Sequence, residues 1–322
     1  MTRSLRLNLI AGLGAMLVAG GAAAQAWPNQ PIRLIVPFSA GGANDLMARS
    51  AAAGASKTLG QPIIVENKPG DGTLLGSDIV AKAQSDGYTF LVSTPGVISN
   101  SMIKKSMPYK DADLMPVVML GLAPSVILVP ADAPYKDLKE FVAASKRSHD
   151  AFQWATAGTG STSHFVAGML QTKYGAKLDM VPYKSGSESI TAVLGKQVEA
   201  TSEASVGALT YLKSGRLKAL ADTWTARMAV YPELSTASEQ GFPEVRIAHW
   251  AGLHAPKDTP PVILDKMAAA VDGAMRMPAM ADRLRGLGIE PIGGTRESFA
   301  KFLEDERGRL GAVVKATGMK DE

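Results

Sequence analysis

Residues Pro31 to Asp45, PIRLIVPFSAGGAND, constrain the fold more than any other stretch of the chain. Ile32 to Val36 is an unbroken apolar run of strand length, and Phe38 to Gly42 reads as a tight turn. Asn44 or Asp45 then caps a helix running to about Leu59, with Gly60 as its stop. Gly41 and Gly42 carry no Cβ, so another molecule can approach the backbone closely. The free N–H groups of the following helix point the same way and carry partial positive charge. Strand, glycine turn and helix N-terminus together make a seat for an anion.

The same unit returns later. Phe152 to Ala157 reads as a strand, Gly158-Thr-Gly-Ser-Thr162 as a turn, and Ser163 to Tyr174 as a helix. Between the two units lie strand-like runs at Pro62–Glu66 and Tyr88–Val92, and a short helix from Leu74 to Ala83. Two further apolar runs, Val117–Leu120 and Val126–Val129, are split by Gly121 and Pro124. A helix at Asp137–Arg147 precedes the second unit, and after it come strands at Met180–Tyr183, Val198–Ser202 and Leu217–Asp222, with helices at Ser187–Leu194 and Val206–Lys213. Alternation of this kind implies right-handed crossovers and a largely parallel α/β sheet. Gly252 to Pro256 returns as a strand, followed by helices from Pro261, from Ala279 and from Glu297 to about Ala316. This tail shows no strand partner of its own and is assigned to the first domain. The expected layout is a discontinuous first lobe, 27–126 plus 247–322, and an inserted second lobe, 127–246. They are joined by crossing segments near Pro124–Pro130 and Gly241–Trp250, an arrangement suited to hinge closure.

A length of 322 residues suits two such lobes, and 46% hydrophobic with 20% charged residues describes a globular chain. Residues Met1 to Ala26 read as an export signal: Arg3 and Arg6 precede an apolar run from Leu7 to Val18 and small-residue cleavage patterns. Cleavage after Ala26 is favoured over an uncleaved anchor. Losing Arg3 and Arg6, with no acid in that segment, takes the formal charge from +4 to +2. The mature chain is then nearly neutral, and no run of five or more Lys/Arg supports nucleic-acid binding. There are no cysteines, so no disulfide framework exists, and stability rests on burial.

Enzyme and cofactor signatures are weak. The four histidines, His149, His164, His249 and His254, form no metal-binding helix pattern, and no Gly-x-Ser-x-Gly elbow occurs. Gly158-x-Gly160 lacks the third glycine of a dinucleotide fingerprint, and no Walker sequence appears. No cofactor or metal is expected. A dispersed Ser/His/Asp triad in a secreted hydrolase stays open as an alternative, because such sets are recognised by geometry.

The candidate binding residues follow from the two turns. Neither turn contains Arg or Lys, so a carboxylate there would be held by neutral donors and helix ends. Asp45 is either a ligand contact or, as favoured, a group that keeps the glycine turn in shape. His164 either donates to the ligand or is structural. Lys184 and Ser185 to Ser187 form a contact loop or a plain turn. Glu203-Ala-Ser205 reads a polar or amino group, or merely opens a helix. Trp250 either walls the pocket or packs in the core.

The chain also resembles a known family, the extracytoplasmic solute receptors of tripartite tricarboxylate transporters, or Bug receptors. The resemblance spans nearly the whole chain, through WPNQPIRLIVPF, PFSAGGANDLMAR, LGQPIIVENKPG, SDGYTFLVST, ATAGTGSTSH, VPYKSG, SGRLKALA and GIEPIGGTRESF. It implies a two-lobed periplasmic binding protein of type II, the Venus-flytrap fold, that captures small carboxylates without catalysis. Carried over, it places Phe38, Ser39, Ala40, Gly41, Gly42 and Asp45 in one wall. Thr94, Gly158, Gly160, Ser161, Thr162 and His164 surround the rest, and Glu203 to Ser205 lie toward the distal end. It implies a periplasmic location, a monomer, and transfer to transporter subunits or a sensor kinase. Ala40, Ser185 and Thr73 depart from the family's usual Pro, Gly and Gly, which bears on the shape of the distal pocket.

Overall fold

The computed structural model describes residues 27–321, so the expected export signal lies outside the described residues. The first unit folds as read: β1 (Ile32–Val36), α1 (Ala43–Leu59), β2 (Ile63–Asn67), α2 (Leu74–Ala81) and β3 (Thr89–Ser93), with β1 paired in parallel to both β2 and β3. The second repeats it: β5 (Phe152–Thr156), α5 (Thr162–Tyr174), β6 (Leu178–Pro182), α6 (Gly186–Leu194) and β7 (Ala200–Ala204), with β5 parallel to β6 and β7. Each is a three-strand parallel core with its first strand in the middle.

One strand joins them. The apolar runs expected as two segments are a single 17-residue strand, β4 (Leu114–Pro130). Up to Pro124 it pairs antiparallel with β9 (Ala248–Pro256), which in turn lies antiparallel to β3. From Ser125 onward it pairs antiparallel with β7 and with β8 (Leu217–Asp222). Gly121 and Pro124 therefore do not break the strand. Gly121 lets another backbone come close: a Cβ there would stand 2.6 Å from the Glu290 carbonyl oxygen. That carbonyl belongs to β10 (Glu290–Gly293), which pairs with β4. The tail thus has a strand partner after all, in a four-residue piece too short to show a period.

The register fixes how the lobes face. Two antiparallel steps make β4 parallel to β1 and β3, so the carboxyl ends of those strands point the way β4 leaves the first sheet. In the second sheet β5 and β7 run against β4, so their carboxyl ends point back toward the first. The two parallel cores therefore present their carboxyl ends to one another across Pro124 and Ser125. The return crossing is pinned there as well. The Thr223 hydroxyl lies 2.9 Å from the Ser125 carbonyl and 2.7 Å from the Ile247 carbonyl.

Burial supplies the cores. Ile32, Leu34, Met47, Phe90 and Val271 close one face of the first sheet, under α1 and α8 (Pro261–Met275). Trp154, Phe165, Phe141 and Leu170 form the heart of the second lobe. Helix α10 (Arg296–Thr317) belongs to both. Phe299 and Phe302 pack on Trp250 in the first lobe, while Leu310 and Val313 enter the second core against α5. The approach is close: a Cβ on Gly168 of α5 would lie 3.0 Å from Thr317. Buried Glu306 pairs with Arg309, which donates to the Arg246 carbonyl on the return crossing.

Candidate functional site

The first turn is shaped from within. Helix α1 starts at Ala43, with Gly42 as its cap in an extended conformation and no side-chain cap bond. The expected cap at Asn44 or Asp45 is thus corrected. Asp45 is the third helical residue and reaches back, where its Oδ2 accepts the Gly41 N–H at 2.9 Å. Gly41 sits at φ +89°, a region costly for residues with a Cβ. Oδ2 also accepts Arg49 Nε, and Oδ1 accepts Asn67 Nδ2, both at 2.9 Å. Asn67 donates in addition to the Phe38 carbonyl at 3.0 Å. Burial alone would raise the Asp45 pKa, but the bonds from Arg49, Gly41 and Asn67 hold it below the ordinary carboxylate value. Both oxygens are occupied, which matches the turn-holding role. Arg49 is drawn behind the turn by Asp45 and by Asn67 Oδ1 at 3.0 Å.

With that support in place, Ser39, Ala40, Gly41 and Gly42 are exposed and Phe38 is half-buried. A Cβ added at Gly42 would meet nothing within 4 Å, so the space before this helix end is open. Asn67, which stitches the turn from a neighbouring strand, escaped the sequence reading. The available signal was a polar residue ending an apolar strand.

The second turn is its counterpart. Gly158 and Gly160 both have positive φ, +92° and +75°. Ser161 caps α5, accepting the His164 N–H at 3.3 Å, and Ser163 Oγ accepts the Ala157 N–H at 3.1 Å. Thr162 is the first helical residue and is half-buried. The His164 ring is half-buried; burial lowers its pKa, and a bond to the Gly158 carbonyl offsets part of that. A Cβ on Gly160 would stand 2.9 Å from Ile103, so this turn abuts the end of α3 (Gly96–Ile103) in the other lobe.

Two more helix starts complete the rim. Thr94 follows β3, is buried, and its carbonyl accepts the Val97 N–H at 2.9 Å as α3 begins. The resemblance named Thr94 for the site, but the helix that starts behind it was not expected from the sequence. At the matching place in the second lobe, α7 (Ser205–Lys213) follows β7 directly. The Ser205 hydroxyl is not free, because it donates to the Gly288 carbonyl of the first lobe at 2.7 Å. Glu203 is buried at the end of β7, with its carboxyl against Gly186. The Ser185–Ser187 turn caps α6, with Ser185 Oγ accepting the Glu188 N–H. Trp250 is fully buried and packs in the first core, the second of its two expected roles.

What this arrangement can do chemically is bind. Four helix N-termini, those of α1, α3, α5 and α7, follow the carboxyl ends of β1, β3, β5 and β7, the usual position for ligands in α/β sheets. Nucleophilic catalysis is poorly served. A Ser–His pair exists at Ser93 and His254, 2.7 Å apart, but both are buried beside Phe299. Ser93 donates its proton to the Gly252 carbonyl at 3.0 Å, so its oxygen accepts from His254. Burial takes the His254 pKa down to about 3, which makes it a poor base at neutral pH.

Comparison with known proteins agrees with a binding role. The profile described as "Tripartite tricarboxylate transporter family receptor" matches residues 47–319. A structure of the periplasmic binding protein BugD is 30% identical, covers 92% of this chain and 100% of its own, and superposes with a TM-score of 0.79. Rpa4515 of R. palustris, solved with adipate, is 28% identical with a TM-score of 0.82 over 91% of this chain and 99% of its own. MatC of Rhodopseudomonas palustris, solved with malate, is 31% identical with a TM-score of 0.77 over 89% and 99%. These relatives are solute-binding receptors and not enzymes, and the hydrolase alternative finds no support among them. On this footing the chain belongs to the tripartite tricarboxylate transporter receptor family, as a two-lobed α/β solute-binding receptor.

Proposed function

We propose that this receptor captures a small carboxylate between the turns 38–42 and 157–162 and delivers it to the membrane components of a tripartite tricarboxylate-type transporter or to a sensor. One observation carries the reading: two glycine turns with helix N-termini behind them lie on facing strand ends, and Arg49, on the helix that follows the first turn, is tied back by Asp45. Main-chain and hydroxyl donors then hold the acid. Each hydrogen bond to a charged group contributes roughly 1.5–3 kcal/mol, so three or four offset the burial of one anion. Helix ends add ~0.3–1 kcal/mol each. A hold of that size is reversible, as a delivering protein requires.

Adipate and malate in structurally similar receptors support an acid ligand here. The periplasm is the natural compartment, with cleavage after Ala26. Trp27 supports that site: its indole N–H donates to the Gly87 carbonyl at 3.2 Å, so the packed body already includes the first residue after the cut. The switch of β4 partners at Pro124/Ser125 supports lobes of 27–126 plus 247–322 and of 127–246, hinged at the two crossings, with the C-terminal half of α10 leaning on the second lobe; the receptor is taken to act as a monomer. Purified protein titrated with a broad panel of di- and monocarboxylates should melt at a higher temperature with at least one of them. A flat response across the panel overturns the reading.

A further inference from the structure

Glu203 differs from every other group at the rim. It is the last residue but one of β7, the strand beside β5, and the register Ala155–Thr201 places it level with Ala157, where the second turn begins. The sideways distance is one strand spacing, about 4.8 Å. Its side chain is only 8% exposed. Oε2 lies so close to Gly186 that a Cβ there would stand 2.1 Å away, so no side chain separates the carboxyl from the start of α6. Oε1 has no hydrogen-bond partner among the described residues. Burial pushes the pKa up to about 8, the Ala204 N–H opposes this in part, and no cation contributes. The charged groups around it do not supply one. Lys184 is exposed, and its own N–H bonds to Glu188, itself exposed. Asp222 faces Val126 from the far side of β4, two strand spacings from Glu203, and is another acid.

A buried carboxyl with one oxygen unpaired, beside an anion seat and short of a cation, is an incomplete ion pair. We propose that Glu203 determines specificity by receiving an ammonium group of the ligand, so that the cargo is an amino-bearing carboxylate held by the turns at one end and by Glu203 at the other. This rests on the acid-receptor reading above. The proton balance follows. The neutral Glu203 carboxyl meets the zwitterion R–NH3+, gives its proton to solvent, and is left as a carboxylate paired with the ammonium. A dicarboxylate without an amine provokes no such release.

The test is calorimetric titration of the wild-type protein and Glu203→Gln with two matched sets: succinate, malate and aspartate, and glutarate, 2-hydroxyglutarate and glutamate. In the wild type an amino member should bind at least about tenfold more tightly than its des-amino and hydroxy counterparts. Binding measured in buffers of different ionisation heat should release close to one proton per ligand near pH 7. In Glu203→Gln the preference should fall to about onefold and the release should vanish. An amino member that binds no better, a preference that survives in the variant, or binding without proton release overturns the proposal. The wild-type proton count stands even if the variant fails to fold. Binding of the plain diacids alone overturns the Glu203 proposal and leaves the acid-receptor reading standing; binding of none of the six, nor of the wider panel, overturns both.

Discussion

Asp45 Oδ2 accepts the Gly41 N–H at 2.9 Å, across the helix start it helps to shape. The bond fixes a glycine at positive φ with its neighbour Gly42 open to solvent. Removing it in Asp45→Ala frees the turn and costs Arg49 and Asn67 one bond each. The expected cost is about 2–3 kcal/mol of stability. Acid affinity should fall about tenfold through the loosened seat. Urea unfolding and titration measure the two. The Asp45 pKa is lowered by folding, so its contribution is present above the unfolded value and is lost as pH falls toward the folded one.

Gly42 tests the seat from the ligand's side. Its φ of −78° suits any residue, and its missing Cβ faces empty space. Gly42→Val should therefore melt within about 2 °C of the parent, because a surface substitution without strain or clash is nearly neutral. The isopropyl group fills the anion's place, so acid binding should drop by about 100-fold or more. Unchanged affinity in calorimetry would remove the seat from this turn.

Stability should decline between about pH 6.5 and pH 8. Burial raises the pKa values of Glu203 to about 8 and of Asp222 to about 7, so folding favours their protonated forms. The stability they contribute is complete below their unfolded values and drains away as pH rises to the folded ones. Burial also lowers His249 to about 4 and His254 to about 3, which makes stability rise with pH up to the unfolded histidine value of 6.5. The two trends oppose one another below pH 6.5, and above it only the acids act. Each titrating group costs about 1.4 kcal/mol per pH unit. Thermal melts of the ligand-free protein across this window should show the fall, and Glu203→Gln with Asp222→Asn should flatten it.

Gly121→Ala should destabilise by about 1–3 kcal/mol, because its new methyl group would crowd the Glu290 carbonyl 2.6 Å away. The loss should appear in denaturant midpoints, with the acid site retained. A neutral result would mean that β10 yields easily.

The sequence exposed the parts of this fold that are local. β1, its turn and α1 could be read because an apolar run, two glycines and an acidic first turn lie within thirty positions, and β5 with α5 repeated the pattern. It concealed what depends on partners. β4 looked like two runs because Gly121 and Pro124 resemble breakers, whereas one admits β10 and the other marks the change of sheet. β10 itself, Glu-Pro-Ile-Gly, has neither period nor length. At the site, the glycines announced themselves by composition. Asn67 did not, because its two bonds to Phe38 and Asp45 cross from another strand. The commitment of the Ser205 hydroxyl to Gly288, 83 residues away, was equally out of reach.

The dual allegiance of α10 bears on how the chain acquires its shape. Phe299 completes one interior and Leu310 with Val313 the other, so each lobe waits on residues near the far end of the polypeptide. A chain threaded N-terminus first cannot finish either half while that helix is still withheld.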